Sequence, residues 1–240
     1  MTLSVVIPAR DEASKIRRDV EEAGAFLSRC VAAGEIIVVD DGSRDGTEEC
    51  AREAALPHSV QLTVLRNPTP SGKGNAIRRG ILASRGDYVV FADAGLTVPF
   101  ENAMRGIRLI GEGNCSLAHG SRWLRNSVIR RGQDWDRKVV SWLFRRISAL
   151  LVNLPPSLTD TQCGFKVYDG ATARMLYSES IIDGFMFDIE IIVRASLHGK
   201  TIAEFPVEWS CDRDSRLHVV RSSWRILYDL FRIRQMARRT

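Results

Sequence analysis

Short apolar runs separated by stretches of helical spacing make up the first hundred residues of the chain. The runs at residues 3–7, 35–39, 61–65 and 88–92 are bounded by polar or turn-forming residues and predict buried strands. Helical spacing predicts helices at 13–31 and 72–83, and a shorter one, capped by Ser43 or Asp45, that ends near residue 55. Strands and helices that alternate in this order indicate an α/β fold with a mostly parallel, doubly wound sheet.

The second half has a less regular pattern. It predicts strands at 116–119 and 164–168, an extended segment at 201–209, and helices at 135–152, 187–197 and 221–238. In the last helix the apolar positions are Trp224, Leu227, Tyr228, Phe231 and Met236. Their spacing predicts one apolar face opposite an arginine-rich face.

Composition changes this picture little. A chain of 240 residues with 45% hydrophobic and 26% charged residues is typical of one large globular domain. Five widely spaced cysteines indicate buried, reduced thiols in a cytosolic protein. No leader pattern is found at the N-terminus, and no apolar run approaches the roughly 18 residues of a membrane span, so we expect neither.

The net charge of +5 is concentrated in two arginine clusters. One cluster contains Arg122, Arg125, Arg130, Arg131, Arg137, Arg145 and Arg146, and the other lies in the tail from residue 213 to 239. Such clusters indicate either solvated cationic faces or attraction to an anionic partner such as phosphate groups or lipid headgroups. We expect no nucleic-acid partner, because aromatic-rich RNA motifs and zinc-ligand spacings are missing from the sequence.

Candidate ligand-binding residues follow three of the predicted strands. They are Pro8, Ala9, Arg10, Asp11 and Glu12 after the first, Asp40, Asp41, Gly42 and Ser43 after the second, and Ala92, Asp93 and Ala94 at the fourth. Parallel sheets bind ligands beyond these carboxyl ends. Carboxylates there can bind a ribose and base, or hold a divalent cation that binds a diphosphate. The alternative is that Asp40 and Asp41 are turn and cap residues.

A glycine-rich segment, Ser71-Gly72-Lys73-Gly74-Asn75, precedes the predicted helix at 72–83. Small residues let backbone N–H groups approach a phosphate, and Lys73 adds positive charge. The spacing is not that of a P-loop, and no G-x-G-x-x-G follows the first strand, which disfavours a dinucleotide-binding oxidoreductase.

The runs V-V-I-P-A-R-D-E, D-D-G-S, G-K-G-N-A-I-R-R-G and F-A-D-A resemble inverting family-2 glycosyltransferases of GT-A fold. Further on, G-S-R, D-T-Q-C-G-F-K, F-D-I-E and E-F-P-V-E-W are similar to the dolichyl-phosphate glucosyltransferase and polyprenyl-phosphate sugar synthase branch. The resemblance implies a single GT-A (Rossmann-like) domain over residues 1–220. It has a nucleotide-binding half at 1–98 and an acceptor half at 99–220, and a basic amphipathic helix follows at 221–240.

The resemblance also implies roles for individual residues. It puts Pro8, Ala9, Asp11, Glu12 and Asp41 at the base and ribose, Lys73 near the nucleotide, Asp93 at the metal and diphosphate, and Arg122, Arg137 and Ser141 at the acceptor phosphate. The four-residue interval between Arg137 and Ser141 puts both on one helical face. For a hydroxyl acceptor, Asp160 and Asp188 are the candidate bases; their alternative role, like that of Glu190, is to pair with arginines.

The implied reaction moves a hexose or N-acetylhexosamine from a UDP-sugar to a polyprenyl (dolichyl-type) phosphate with inversion, aided by Mg²⁺ or Mn²⁺. Gly95 replaces the second aspartate of the family's Asp-x-Asp motif, which weakens the metal-ligand set. The alternatives are a soluble or polysaccharide hydroxyl acceptor and a catalytically degenerate sugar-nucleotide-binding homologue. We expect a cytoplasmic protein, peripheral to the cytoplasmic face of a membrane, attached by the tail helix, by a membrane-spanning subunit, or by both.

Overall fold

The computed structural model describes residues 1–131, 152, 154–155, 157–211 and 219–238. Its strands are β1 Thr2–Ala9, β2 Ala33–Asp40, β3 Val60–Arg66, β4 Tyr88–Ala92, β5 Leu117–Ser121, β6 Val128–Arg131, β7 Phe165–Asp169, β8 Ile202–Pro206 and β9 Glu208–Ser210. Its α-helices are α1 Ala13–Cys30, α2 Thr47–Arg52, α3 Lys73–Ala83, α4 Ala103–Gly111, α5 Gly170–Ser178, α6 Phe187–Leu197 and α7 Val219–Arg238. A 3₁₀ turn at Phe100–Asn102 precedes α4.

Seven strands form one sheet in the order β3-β2-β1-β4-β7-β5-β8. Strand β7 runs antiparallel to its neighbours β4 and β5, and the other pairs in the sheet are parallel. The predicted mostly parallel α/β sheet is therefore confirmed. The carboxyl ends of β1, β2, β4, β5 and β8 lie at one edge, together with the amino end of β7.

Helices cover both faces of the sheet, which explains why its strands are continuous apolar runs. On β1, Val5 and Ile7 pack with α1, and Val6 between them packs with α3 on the opposite face. Helices α1, α2 and α4 supply the first layer, and α3, α5 and α6 supply the second. The alternation of side chains along each strand thus builds a two-sided core with the sheet in the middle.

The observed structure differs from the prediction in the segment at 201–209, in two helices and in one strand. The extended segment at 201–209 is two strands, because the chain leaves the main sheet at Pro206 and β9 pairs with β6 in a second, two-stranded sheet. Helices α4 and α5 and strand β6 were not predicted. The predicted helix at 135–152 lies outside the described residues except for Val152.

Helix α7 packs through Leu230 and Ile233, both about 1% exposed, in a third apolar cluster with Met186 and Ile189. The apolar side chains of this helix lie on two sides, whereas the sequence predicts one apolar face. Trp224, Leu227, Tyr228 and Phe231 of the predicted stripe are exposed, whereas Met236 packs with the separate set of apolar side chains that faces the domain. Within the described part of the chain, no helix has the length and hydropathy that crossing a membrane requires.

Candidate active site

The loops that follow β1, β2 and β4 meet at the ligand-binding edge of the sheet. Strand β1 lies between β2 and β4, so Ala9, Asp40 and Ala92 end neighbouring strands. The first two loops are joined by hydrogen bonds: Asp11 N–H donates to Ser43 Oγ (2.8 Å) and Arg44 N–H donates to Asp11 Oδ1 (2.8 Å). The predicted residues that follow β1 and β2 are thus brought together, and those at the end of the neighbouring strand β4 lie at the same edge.

Asp40 and Asp41 shape the loops at this edge. Asp40 is buried, and its Oδ1 accepts the Ser43 N–H at 2.8 Å, as expected for a turn residue. The Asp41 carboxylate accepts hydrogen bonds from Ser71 N (2.7 Å), Gly72 N (2.9 Å) and Asn67 Nδ2 (2.7 Å). Asp41 therefore holds the glycine-rich segment in place, and its predicted contact with base or ribose stays a prediction.

The glycine-rich segment enters α3 through a conformation that requires Gly72. Its φ is +109°, and a Cβ at this position would lie 2.3 Å from the Asp183 carbonyl oxygen. Lys73 is the first residue of α3, and its Nζ lies 2.7 Å from Asp93 Oδ1. The positive dipole of this helix end lies beside the lysine, an arrangement that suits a phosphate.

Asp93 is positioned by Gly164, the residue that precedes the antiparallel strand β7. Its N–H donates to the Gly164 carbonyl at 2.8 Å, and a Cβ at Gly164 would lie 1.9 Å from Asp93 Oδ2. Gly164 thus leaves the space that the carboxylate fills. No cluster of three or more His, Cys, Asp or Glu residues suited to a metal occurs in the described ranges. These residues fit a divalent cation held by one carboxylate and by substrate phosphates, and they do not fit an all-protein cage.

Gly95 is held by a buried carboxylate from α1. Asp19 lies among the core positions of that helix and is 1% exposed, and its Oδ2 accepts the Gly95 N–H at 2.6 Å. Burial raises the pKa of Asp19 to about 6. Gly95 has φ +92°, where an aspartate would be strained. The loop conformation that Asp19 holds therefore favours glycine at position 95.

Replacing Asp19 with asparagine is expected to stabilise the fold at neutral pH but not at pH 4. The raised pKa means that the folded state binds a proton that the unfolded state releases between about pH 4 and 6. The unfolding free energy of the parent therefore falls as pH rises through that window. Since one unit of pKa difference corresponds to about 1.36 kcal/mol, the fall is about 2 to 3 kcal/mol. Urea unfolding of Asp19→Asn and the parent at pH 4 and pH 7.5 measures the difference.

The control for this prediction is Glu22→Gln, which removes an exposed carboxylate from the same helix. We expect its unfolding free energy to differ from that of the parent by the same amount at both pH values. If Asp19→Asn differs from the parent by the same amount at both pH values, Asp19 does not titrate in that window.

On the acceptor side, Arg122 and Asp160 form a buried two-point pair. Arg122 Nε donates to Asp160 Oδ2 (2.7 Å) and Nη2 donates to Oδ1 (2.8 Å). Glu204 on β8 fixes this turn by accepting the Asp160 N–H at 2.7 Å. Burial raises the pKa of Asp160, but the hydrogen bonds from Arg122 outweigh burial and the net pKa is lowered. The pair joins the end of β5 to the turn before β7.

Asp188, at the start of α6, is paired with a lysine that sequence reasoning had given no role. Lys166 on β7 is fully buried, and its Nζ lies 2.5 Å from Asp188 Oδ1. Burial raises the pKa of Asp188, against the opposing charges of Lys166 and Lys73. Glu190 accepts N–H groups of the preceding loop and pairs with Arg194, which is a structural role.

The turn between Asp160 and Gly164 also carries two buried polar atoms that hydrogen-bond to none of the described residues. They are Thr161 Oγ1 and Gln162 Nε2. An unpaired buried donor is costly, and such atoms in a turn beside Arg122 suit a polar ligand. Arg137 and Ser141, predicted at the acceptor phosphate, lie outside the described residues. Sequence analysis gave Asp19 no role. Its buried position could have been predicted, since it is an acidic residue inside the apolar stripe of α1.

Comparison with known proteins identifies the family of the chain. The model of glycosyl transferase family 2 matches residues 4–173. The chain belongs to glycosyl transferase family 2. A family relative from Trichomonas vaginalis, a dolichyl-phosphate beta-glucosyltransferase, is 32% identical over 223 residues, covering 89% of this chain and 65% of that protein. A protein of the same name from Dictyostelium discoideum is 31% identical over 243 residues, covering 97% and 73%. The chain thus spans about two thirds to three quarters of their length.

Glucosyl-3-phosphoglycerate synthase from Mycobacterium tuberculosis, solved with Mn²⁺ and uridine-diphosphate-glucose, shares the fold of this chain. The TM-score is 0.71 at 22% identity, and the alignment covers 97% of this chain and 78% of that one. The predicted family and GT-A fold are therefore confirmed.

Proposed function

We propose that this chain transfers a hexose or N-acetylhexosamine from a UDP-sugar to a polyprenyl (dolichyl-type) phosphate, with inversion at the anomeric carbon. One observation carries the choice of acceptor: Asp160 and Asp188, the two candidate bases, are each paired with a cation. A hydroxyl acceptor must lose a proton during transfer and needs an available base. A phosphomonoester, whose second pKa is about 6, is already an anion at neutral pH.

On the donor side, the proposal assigns the diphosphate to the edge formed by Lys73, Asp93 and the first turn of α3. Asp93 is the residue that would hold Mg²⁺ or Mn²⁺. When bound, the cation neutralises charge that develops on the leaving diphosphate. Lys73 places a further positive charge at the same point, since its Nζ is 2.7 Å from Asp93 Oδ1. The weak carboxylate set at this loop suits a cation bound largely through the substrate.

On the acceptor side, the anionic phosphate needs positive charge to approach a donor that is also anionic. Arg122 Nε and Nη2 are bound to Asp160, so its proposed contact with the acceptor phosphate uses the guanidinium N–H groups beyond these two hydrogen bonds, and Asp93 is close enough to contribute to its electrostatic environment. Thr161 Oγ1 and Gln162 Nε2 add hydrogen-bonding atoms in the adjacent turn. One phosphate oxygen would form a bond to the anomeric carbon while the bond to the diphosphate breaks, and the electron pair leaves with UDP.

The assay that tests this function uses the full chain with Mn²⁺, radiolabelled UDP-sugars and a polyprenyl phosphate in detergent. The names of the relatives make UDP-glucose the first donor to try. We expect label in an acid-labile lipid product, and an NMR spectrum showing a β-linked sugar from the α-linked donor. Label found only in soluble or polysaccharide products would indicate a hydroxyl acceptor. Nucleotide binding without turnover of any donor would indicate a degenerate homologue.

Changing Arg137 to alanine is expected to lower turnover at least tenfold while UDP affinity changes less than twofold. The proposed reason is that its guanidinium binds the acceptor phosphate, so its loss leaves donor binding intact. Steady-state rates and calorimetric titration with UDP give the two quantities. Arg85→Ala is the matched control, since Arg85 is exposed beside the amino end of β4, at the opposite edge of the sheet. Equal losses of turnover and UDP affinity would argue against an acceptor role for Arg137.

The proposed acceptor is a membrane lipid, which places the protein peripherally at the cytoplasmic face of a membrane. The structural support is the absence of a spanning helix in the described ranges together with a basic C-terminal helix. A separate membrane-spanning subunit is the alternative means of attachment. Fractionation of cells that express the full chain tests this placement: recovery with membranes, and release by salt or carbonate, is the expected result.

A further inference from the structure

Helix α7 carries a row of large apolar side chains that face away from the domain. Trp224, Leu227, Tyr228 and Phe231 are 69%, 55%, 56% and 57% exposed. Their spacing of three, four and seven residues places them on one side of the helix. We call these four residues the outer stripe. Isolated apolar residues on a surface are ordinary, but a contiguous row that includes three aromatic rings marks a binding surface.

The outer stripe is not needed to hold the helix in place. Leu230 and Ile233, each about 1% exposed, already pack the opposite side of α7 against Ile182, Met186 and Ile189. An amphipathic helix that packs on a domain needs one apolar side, and α7 has two. The second is therefore available to a partner.

The charges around the outer stripe identify the partner. Helical spacing puts Arg225 and Arg232 along one border of the stripe and Arg234 and Arg238 along the other. The helix has one acidic residue, Asp229, whose carboxylate lies on the inner side beside Gly184. The outer stripe combines aromatic and aliphatic side chains, is bordered on both sides by arginines and has no acidic residue within it. These properties match the interface of an anionic bilayer.

We propose that the outer stripe of α7 inserts into the headgroup region of an anionic lipid bilayer, with the bordering arginines on lipid phosphates. The inference deepens the proposed function, on which it rests for its biological setting. It also connects the bilayer to the donor site. The loop that packs under α7 contains Asp183, whose carbonyl accepts the Asn75 N–H and whose carboxylate pairs with Arg78 on α3. A single loop thus separates the bilayer-facing helix from the glycine-rich segment.

The test measures binding of the full chain to vesicles that contain no sugar donor and no polyprenyl phosphate. Vesicles of phosphatidylcholine alone are compared with vesicles containing 30 mol% phosphatidylserine, by flotation. We expect binding to the anionic vesicles that weakens as salt is raised. The double variant Leu227→Gln/Phe231→Gln should bind at least tenfold more weakly, because two apolar side chains no longer leave water.

Matched controls separate this result from a general effect of removing apolar surface. Leu82→Gln/Leu197→Gln changes two exposed apolar residues outside α7 and should bind vesicles like the parent. Arg225→Gln/Arg232→Gln should lose the preference for anionic vesicles. Circular dichroism and UDP affinity should be unchanged in all variants, since these side chains lie outside the donor edge.

Three outcomes would overturn the proposal. They are a parent that binds neither vesicle, a stripe variant that binds as well as the parent, and a stripe that mediates self-association in sedimentation experiments instead. Because the vesicles hold no substrates, loss of vesicle binding is independent of transfer activity. A chain that binds anionic vesicles but transfers no sugar would contradict the proposed reaction but not the proposed membrane-binding surface.

Discussion

Replacing Asp93 with alanine is expected to lower turnover by about 100- to 1,000-fold, the range seen when one preorganised charge-stabilising group is removed from an active site. Asp93 is the carboxylate that the proposed mechanism gives to the divalent cation, and its Oδ1 is 2.7 Å from Lys73 Nζ. Its loss removes both the cation's protein ligand and the partner of the lysine. Single-turnover rates at saturating donor, measured over a range of Mn²⁺ concentrations, test the prediction. Wild-type rates in the variant would remove Asp93 from the site.

Gly164→Ala tests the same carboxylate without deleting it. The added Cβ would lie 1.9 Å from Asp93 Oδ2, so the carboxylate must move. We expect a large loss of turnover with a small loss of stability, because the atom that gives way is the end of a side chain. Gly111→Ala is the matched control: its Cβ would make an ordinary contact, 3.5 Å from the Tyr88 hydroxyl. A Gly164→Ala enzyme with full activity would show that the position of Asp93 is not critical.

Changing Arg122 to methionine is expected to destabilise the fold by about 3 to 5 kcal/mol, the cost of breaking a buried ion pair from one side. Asp160 is 3% exposed and would be left with a buried, uncompensated charge. Backbone N–H groups of its turn also donate hydrogen bonds to the Glu204 carboxylate, so the disturbance reaches β8. Urea unfolding at pH 7.5 gives the change in unfolding free energy. UDP binding below the unfolding transition shows whether the donor edge survives.

Two further variants sharpen this prediction. Arg130→Met breaks an exposed pair with Glu208, in which the arginine side chain is 66% exposed, and should cost less than about 1 kcal/mol. The double variant Arg122→Met/Asp160→Leu should be more stable than Arg122→Met alone, because no buried charge is left unpaired. If Arg122→Met lowers the unfolding free energy as little as Arg130→Met does, the Arg122–Asp160 pair does not stabilise the fold in the way proposed.

Parts of the fold that sequence reasoning missed have local causes. Helix α4 contains Gly106, and glycine disfavours helix by about 1 kcal/mol relative to alanine. Packing demands that glycine, since a Cβ would lie 2.7 Å from Val167. Helix α5 begins at Gly170, but its capping signal was readable: Asp169 accepts the Thr172 N–H at 2.8 Å. Tertiary contacts overrode weak propensity in the first case, and a cap was overlooked in the second.

The donor edge could be predicted because its residues follow strands, and strand order alone brings such ends together. The acceptor side could not be predicted to the same degree. The sequence pattern predicts only that Lys166 is a strand residue. Its neighbours along the chain do not show that it is buried against Asp188, 22 residues away. Arg137 and Ser141 keep the status of predictions, because they lie outside the described residues.

By itself, the sequence determined the mostly parallel sheet, the presence of helices on both of its faces and the edge at which the candidate ligand-binding residues lie. These follow from apolar periodicity and strand–helix alternation, which are local properties of the chain. Only the tertiary structure decided that Arg122 neutralises Asp160 from 38 residues away, and that α7 turns Leu230 inward and Phe231 outward. Charge pairing and exposure depend on distances between remote residues, and those distances exist only once the chain has folded.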